Sequence, residues 1–419
     1  MTGALRTDLS DLDFWLEPME HREAVFSALR ARDDLPFFDE PQTEALPPGP
    51  GYWCLTRHAE VVEASRRPED FCSGQGTNIV DLPVPFLEFF GSMINMDDPR
   101  HARLRRIVSR AFTPKSLDAL KADVEGIVGE IVADLAPAGE CDFVTEIAAK
   151  VPLRIIVDLM GIPRSEERYI FDRTNVILGF TDEEYADQDD PWGVMGAILT
   201  AGQELADLVR ELGEDRVRTP RNDLTTALVT AEVDGEHLTA EELASFFILL
   251  VVAGNETTRN AIAHGLHLLT ENPEQRAVWQ ADLDAVTPTA VEEIVRLASP
   301  VMHFRRTVTR DGVRLGDHKF TEGDKVVLWY WSANRDEAVF DDPHRFDVRR
   351  SPNDHVGFGG PGPHFCLGAH LARREISVVF RELLTRLPDI HATAVPDRLR
   401  SGFINGIKHL PAAWTPVRI

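Results

Sequence analysis

Cysteine is scarce in this chain: four among 419 residues, at positions 54, 72, 141 and 366. They are far apart and form no C-x-x-C pair, so neither a disulfide framework nor a structural zinc site is expected, and a reducing cytosol fits. Long apolar runs are lacking too. The N-terminus, MTGALRTDLSDLDFWLEP, holds no stretch of signal or membrane-span length, and the most apolar run, SFFILLVVAG (245–254), is too short to cross a bilayer. A cytoplasmic protein without a membrane anchor is expected. Basic charge is outweighed: 44 Lys and Arg against 69 Asp and Glu leave a net charge of −25. That argues against a nucleic-acid partner, because phosphate binding draws on surplus cation. No internal repeat, low-complexity tract or break in composition divides the chain. A single domain over 1–419 is expected, with residues 1–50, Pro-rich and ending in PPGPG, as an arm laid on its surface.

What is present is mainly helical, with a minor β portion. YWCLT reads as a strand and AEVVEASRR as a short helix. Residues 73–96 (IVDLPVPFLEFFGSMINM at the end) read as an unusually apolar loop, tucked against the core or facing a substrate. From 99 to 283 apolar residues recur at three and four, as in Leu104, Ile107, Val108, Phe112, Leu117, Leu120, Val124, Ile127 and Ile131. Asp234-Gly235 marks a tight turn. A long helix is expected from Thr239 to about Thr270, opened by a Thr239/Glu242 capping box and roughly 48 Å long. Residues 304–332 switch to strand character around the turns Asp311-Gly312 and Glu322-Gly323. Residues 340–365 read as loop and 367–386 as helix.

Four constellations carry chemistry. In FGGPGPHFCLGAHLARRE (358–375) a glycine-dense loop runs into a helix with Cys366 at its mouth. Glycines let backbone approach a flat ligand, and a thiolate near a helix N-terminus is favoured by free N–H groups, as a metal ligand requires. The bland alternative is a buried capping Cys. In AGNETTRN (253–260), a threonine pair and an acid sit mid-helix, where they are poor helix formers. Either the threonine hydroxyls bond back to preceding carbonyls, or Gly254 leaves space above a flat cofactor and Glu256-Thr257 acts as an acid–alcohol proton relay. Glu293 and Arg296 can pair at i and i+3, and His101 and Arg105 share a helix face at i and i+4.

These residues resemble the cytochrome P450 family. Gly362, His364, Cys366 and Gly368 match its haem-binding loop by spacing from the Cys, while Phe358 lies one residue further upstream than the pattern allows. Ala253, Gly254, Glu256 and Thr257 match its oxygen-activation motif. The resemblance runs from about Asp97 to Pro411. It implies the cytochrome P450 fold, mainly α with small β-sheets, and haem b held between the long central helix and the Cys-loop helix. Cys366 would be the axial thiolate, which pushes electron density to iron and favours O–O cleavage. His101, Arg105, Arg306 and His364 would hold the propionates, Arg binding a carboxylate bidentately. Glu293 and Arg296, with Arg345 or Arg349, would brace the loop that leads to the Cys.

Within the family the stretches look most like the mycobacterial enzymes that hydroxylate the end of methyl-branched lipids, and next like those that act on the terminal carbon of sterol side chains. The resemblance therefore implies a monooxygenase that hydroxylates an apolar branched lipid or terpenoid at a terminal (ω) methyl. It would use O2 and two electrons from a ferredoxin and its reductase, since the chain has no flavin, Rossmann or iron–sulfur segment of its own. A monomer is expected. The candidate channel walls are Phe86, Phe89, Phe90 and Met93; Asn175, Ile177, Leu178 and Phe180; Leu250 with Ala253; Val301, Met302, His303 and Phe304; and Phe403 and Ile404. A hydrogen-peroxide-driven peroxygenase and a haem sensor or lipid carrier are the alternatives; the intact Glu256-Thr257 pair speaks against both. The acidic total hides a basic island: Arg100, Arg103, Arg105, Arg106, Arg110 and Lys115, with Arg349, Arg350, Arg373 and Arg374 near the Cys. Arg103, Arg110 and Arg373 are the expected docking residues for an acidic ferredoxin.

Overall fold

The computed structural model describes residues 8–41, 49–109, 121–187, 189–232 and 235–418. Helices dominate: α1 (Met19–Arg30), α2 (His58–Ser65), α3 (Val84–Gly91), α4 (Arg100–Ser109), α5 (Lys121–Leu135), α6 (Lys150–Met160), α7 (Glu167–Leu178) and α8 (Pro191–Arg218) precede α9 (Leu224–Thr230) and the long α10 (Ala240–Glu271). After it come α11 (Pro273–Ala281), α12 (Leu283–Ala298), α13 (Tyr330–Ala333) and α14 (Ala369–Arg386). The α10 helix is 32 residues long and starts as its sequence predicts. Thr239 accepts from Glu242 N–H, and the Glu242 carboxylate accepts from Thr239 N–H at 3.0 Å. It is buried on nearly every side, as its apolar first half requires.

Two expectations are corrected. Residues 84–91 form helix α3 rather than loop, entered through Pro83 and with Pro85 in its first turn, where a missing N–H costs nothing. Its run VPFLEFFG is apolar almost all round and so shows no helical period. Residues 330–333 are helical rather than extended. Phe112, Leu117 and Leu120 lie outside the described residues. So does Asp234, while Gly235 has the positive φ of a turn, 82°.

The main sheet orders its strands β1-β2-β8-β5-β3: β1 (Phe37–Phe38), β2 (Tyr52–Leu55), β3 (Phe71–Cys72), β5 (His303–Val308) and β8 (Lys325–Trp329). The β2 and β8 strands run parallel, pairing Tyr52 with Lys325, although about 270 residues separate them in sequence. Smaller sheets join β4 (Glu140–Asp142) to β12 (Pro411–Ala413) and β9 (His391–Ala392), β6 (Arg314–Leu315) to β7 (His318–Lys319), and β10 (Asp397–Arg398) to β11 (Ile407–His409). The segment before β1 does more than cover the surface. Phe14, Trp15 and Phe26 are fully buried in one cluster with Trp329 and Trp331, and the Trp15 and Trp329 rings stack at 5.3 Å.

Candidate active site

Cys366 is enclosed by protein and yet accessible, and where a Cβ at Gly368 would stand there is open space. The loop that carries it is closed by Cys366 N–H donating to the Phe358 carbonyl at 2.9 Å, which accommodates the extra residue in the Phe358–Cys366 spacing. The backbone needs its glycines here: Gly359 sits at φ 86°, and a Cβ on Gly362 would stand 2.2 Å from the Ser65 carbonyl of α2. Phe358 does not lie idle, for the Arg373 guanidinium sits 4.3 Å over its ring. Burial raises the Cys366 thiol above its ordinary range, while Gly368 N–H, Arg105 and Arg373 pull the other way. Leu367 packs in one apolar cluster with Leu250, Val252 and Ala253 of α10. On that largely buried helix Leu250, Ala253, Gly254 and Thr257, spaced i, i+3, i+4 and i+7, are partly accessible and share one face. The residue after the thiol and the apolar part of that face thus pack against one cluster.

The rim of the site is basic. The His101 and His364 rings lie 4.3 Å apart, Arg105 donates to the Phe365 carbonyl, and Arg306 donates to the Arg305 carbonyl at 2.8 Å. His364 also bonds Ser73 Oγ at 3.1 Å. Burial, then Arg306, His101 and Arg105, push His364 down to about 2. His101, lowered by burial and Arg105, has Asp98 at 3.5 Å on Nδ1, but its buried Nε2 has no partner. Two arginines and two histidines crowded together, with Asp98 and Asp97 beside His101 only, suit a ligand edge that carries carboxylates.

Above the rim, α10 runs unbroken through 253–260, with no loosened turn. Thr257 Oγ1 donates back to the Ala253 carbonyl at 2.6 Å. A Cβ on Gly254 would meet Ile156 Cδ1 of α6 at 2.9 Å, so its smallness serves the packing of α10 on α6. Glu256 turns away from Thr257 into the core. It pairs with Arg259, accepts from Asn260 Nδ2 at 3.0 Å, and leaves Oε2 unpartnered. Arg259 in turn donates to Asn175 Oδ1 at 3.0 Å, so the buried Asn175 side chain belongs to this network.

The other wall candidates divide. Phe89 and Phe90 pack edge to face at 4.9 Å and, with Met93 and Ile177, join the cluster of Leu250 and Ala253. Phe86 and Phe89 also line a groove of about 540 Å3 between α3 and α8, with Leu199 and Gln203. Leu178 is half-buried, whereas Phe180 is 43% exposed and looks outward. Val301 bridges Ile404, and Phe304 meets Phe403 at 5.5 Å; Met302 is buried beneath them. His303 bonds a main-chain carbonyl, that of Gly402 at 3.0 Å, and burial lowers it to about 4.

Behind the loop Glu293 is completely buried and takes Arg296 Nε and Nη2 at 2.7 and 2.8 Å. The second arginine is neither Arg345 nor Arg349 but Arg350, whose Nε reaches both Glu293 oxygens at 3.0 and 3.1 Å. Arg345 contributes its carbonyl, and Arg349 N–H bonds Asp347. A parallel brace was not foreseen: Glu292 holds Arg373 at 2.6 Å and His355 at 2.9 Å. Burial alone would raise Glu292; His355 and Arg373 outweigh it and hold it at about 2. The basic island is correspondingly reduced. Arg373 is committed to Glu292, Arg103 to Glu236 and Glu242, and Arg100 to Glu88. Arg110 and Lys115 lie outside the described residues. Formal charges counted along the chain miss acids that other elements bring beside them.

A loop-borne thiol, a basic rim and a long helix across them define a haem-thiolate protein. The family model "Cytochrome P450" matches residues 195–408. The methyl-branched lipid omega-hydroxylase of Mycobacterium tuberculosis is 49% identical over 97% of this chain and 94% of its own length. The steroid C26-monooxygenase of Rhodococcus jostii is 39% identical over 96% of this chain and 83% of its own. A Mycobacterium marinum cytochrome P450 in complex with pseudoionone superposes with a TM-score of 0.91 at 41% identity, covering 97% of this chain and 98% of that one. The chain belongs to the cytochrome P450 family, and it is an oxidoreductase, a haem b monooxygenase. No described helix is long and apolar enough to cross a membrane.

Proposed function

We propose that this monooxygenase hydroxylates the terminal methyl of an apolar, methyl-branched lipid or terpenoid. The observation that carries the reading is the near full-length likeness to the methyl-branched lipid omega-hydroxylase; the apolar stripe of α10 and the phenylalanines of α3 agree with it. Bound haem supplies the oxygen activation and the C–H oxidation. Cys366 would ligate its iron, and Arg105, Arg306, His101 and His364 would hold its carboxylates. Thr257 keeps acceptor capacity on Oγ1 while donating to Ala253, so it can hold a proton donor at the site. The Glu256–Arg259–Asn260 network is the buried acid behind it. A terminal C–H is stronger than the tertiary C–H beside it, so the walls must admit only the methyl end, which is control by orientation. Turnover of 15-methylhexadecanoic acid by holoenzyme with O2, NADH, ferredoxin and reductase, followed by mass spectrometry of the product, tests this. The terminal alcohol is expected; a product oxidised only at the tertiary carbon refutes it. A cholesterol-type substrate run in parallel separates the sterol side-chain reading, which the Rhodococcus relative favours.

Thr257→Ala is expected to retain haem and bind substrate but to divert NADH-derived electrons to peroxide, lowering product per NADH several-fold, with Thr257→Ser close to wild type. Unchanged coupling in the Ala variant counts against the proton role. Turnover on peroxide alone at the rate of the complete redox chain would favour the peroxygenase instead.

Electrons come from a separate ferredoxin and reductase, and the enzyme works as a cytoplasmic monomer. Docking on the thiolate side rests on cations that other elements have not neutralised. Arg349 is exposed there, whereas Arg103 and Arg373 are paired. Arg349→Gln is expected to slow stopped-flow reduction by ferredoxin at low salt more than Arg103→Gln does, and the difference should vanish at high salt. Equal effects would reject this assignment.

A further inference from the structure

The segment before α3 is gripped in an unusual way. Residues 73–83 form no regular element, yet their carbonyls at every second position are held from the main sheet. Arg305 Nη2 donates to the Gln75 carbonyl, Arg305 N–H to that of Thr77 at 2.8 Å, and Arg305 Nη1 to that of Ile79 at 3.4 Å. Lys325 Nζ donates to the same Ile79 carbonyl at 3.1 Å. Two residues further on, Asp81 closes the row: one carboxylate oxygen takes Arg305 at 2.5 Å and the other Lys325 at 2.8 Å.

The strand register explains the pairing. Thr307 faces Lys325 and Arg305 faces Val327 across β5 and β8. Arg305 and Lys325 are therefore diagonal neighbours on one face of the sheet. Both cations are almost completely buried, and like charges so placed repel unless anions lie between them. Glu40 binds Lys325 at 2.6 Å, and Asp81 bridges both. The buried partners are fixed, whereas the Asp81 side chain is 58% exposed. Beyond it the chain enters α3, whose Phe89 and Phe90 share the cluster of Leu250 and Ala253. A second tie, Thr77 to Asn95 at 2.8 Å and Asn95 to the Leu87 carbonyl at 2.9 Å, transmits the position of the segment to the helix.

We propose that Asp81 is a positioning residue that sets how deeply substrate enters: by bridging Arg305 and Lys325 it pins segment 75–81, and so fixes α3 over the site. The regiochemical part rests on the proposed terminal hydroxylation. Asp81→Asn keeps the shape but leaves two buried cations facing one acid; Asp81→Glu keeps the charge. In substrate-free holoenzyme, hydrogen–deuterium exchange over 75–91 is expected to quicken about tenfold in Asp81→Asn and to stay near wild type in Asp81→Glu. With 15-methylhexadecanoic acid, the ratio of terminal to subterminal alcohol is expected to fall at least fivefold in Asp81→Asn, with total turnover within twofold and the ratio restored in Asp81→Glu. Unchanged exchange in Asp81→Asn, or faster exchange with an unchanged product ratio, overturns the proposal. A wild type that makes no terminal alcohol refutes the functional reading instead, and the exchange result then decides on Asp81 by itself.

Discussion

Replacing Glu293 with Ala is expected to remove about 3–5 kcal/mol of stability, the scale on which breaking one side of a buried ion pair is felt. The reason lies in how much one carboxylate holds. Glu293 accepts from Arg296, from Arg350, from Asp347 N–H at 3.0 Å and from Asn353 Nδ2 at 3.2 Å. Without it two guanidinium groups, one fully buried, lose their counter-charge at once. Arg296 would retain the carbonyls of Asn334 and Pro343, which neutralise nothing. The segment that Glu293 ties down leads directly into the Cys loop, so haem retention should fall together with stability. Urea unfolding followed by circular dichroism and by the Soret band measures both. Where Glu293→Ala fails to accumulate as folded protein, Glu293→Gln, which keeps the acceptor and loses the charge, should show a smaller loss of the same kind. A loss below about 1 kcal/mol in Glu293→Ala would put the pair among surface-like bridges and contradict its burial.

Replacing Cys366 with Ala is expected to abolish hydroxylation and the red-shifted Soret band of the ferrous carbon monoxide complex. The protein environment alone does not make this sulfur a thiolate, since burial raises the thiol. A bound metal ion deprotonates a coordinating thiol outright, and Gly368 N–H with Arg105 and Arg373 then stabilises the charge. The basic rim stays intact in the variant, so some haem should still bind, with an altered axial ligand and spectrum. Persistence of the wild-type band in Cys366→Ala would remove this residue as the ligand.

Legibility in the sequence followed distance along the chain. The capping box of α10, the Glu293–Arg296 pair and the Cys366 loop are local patterns, and each appears where its spacing places it. The apolar run of α3 was ambiguous because a helix hydrophobic on all sides shows no period. Partners brought from elsewhere were invisible: Arg350 for Glu293, Glu292 for Arg373 and His355, and Glu236 and Glu242 for Arg103. Arg259 beside Glu256 was a missed signal of a different kind. A basic residue three positions after an acid on a helix is a pairing pattern, and it accounts for why Glu256 faces the core.

The parallel pairing of β2 with β8 bears on biosynthesis. A strand complete at residue 55 must wait for a neighbour that begins at residue 325. At roughly 5–20 residues per second, translation imposes an interval on the order of 10–60 s. Throughout it Phe14, Trp15 and Phe26 lack the Trp329 and Trp331 they finally pack against, and the sheet edge of β2 is open to other chains. The nascent N-terminal segment thus keeps these aromatics and a sheet edge uncovered until most of the chain is made, and slower synthesis lengthens that exposure.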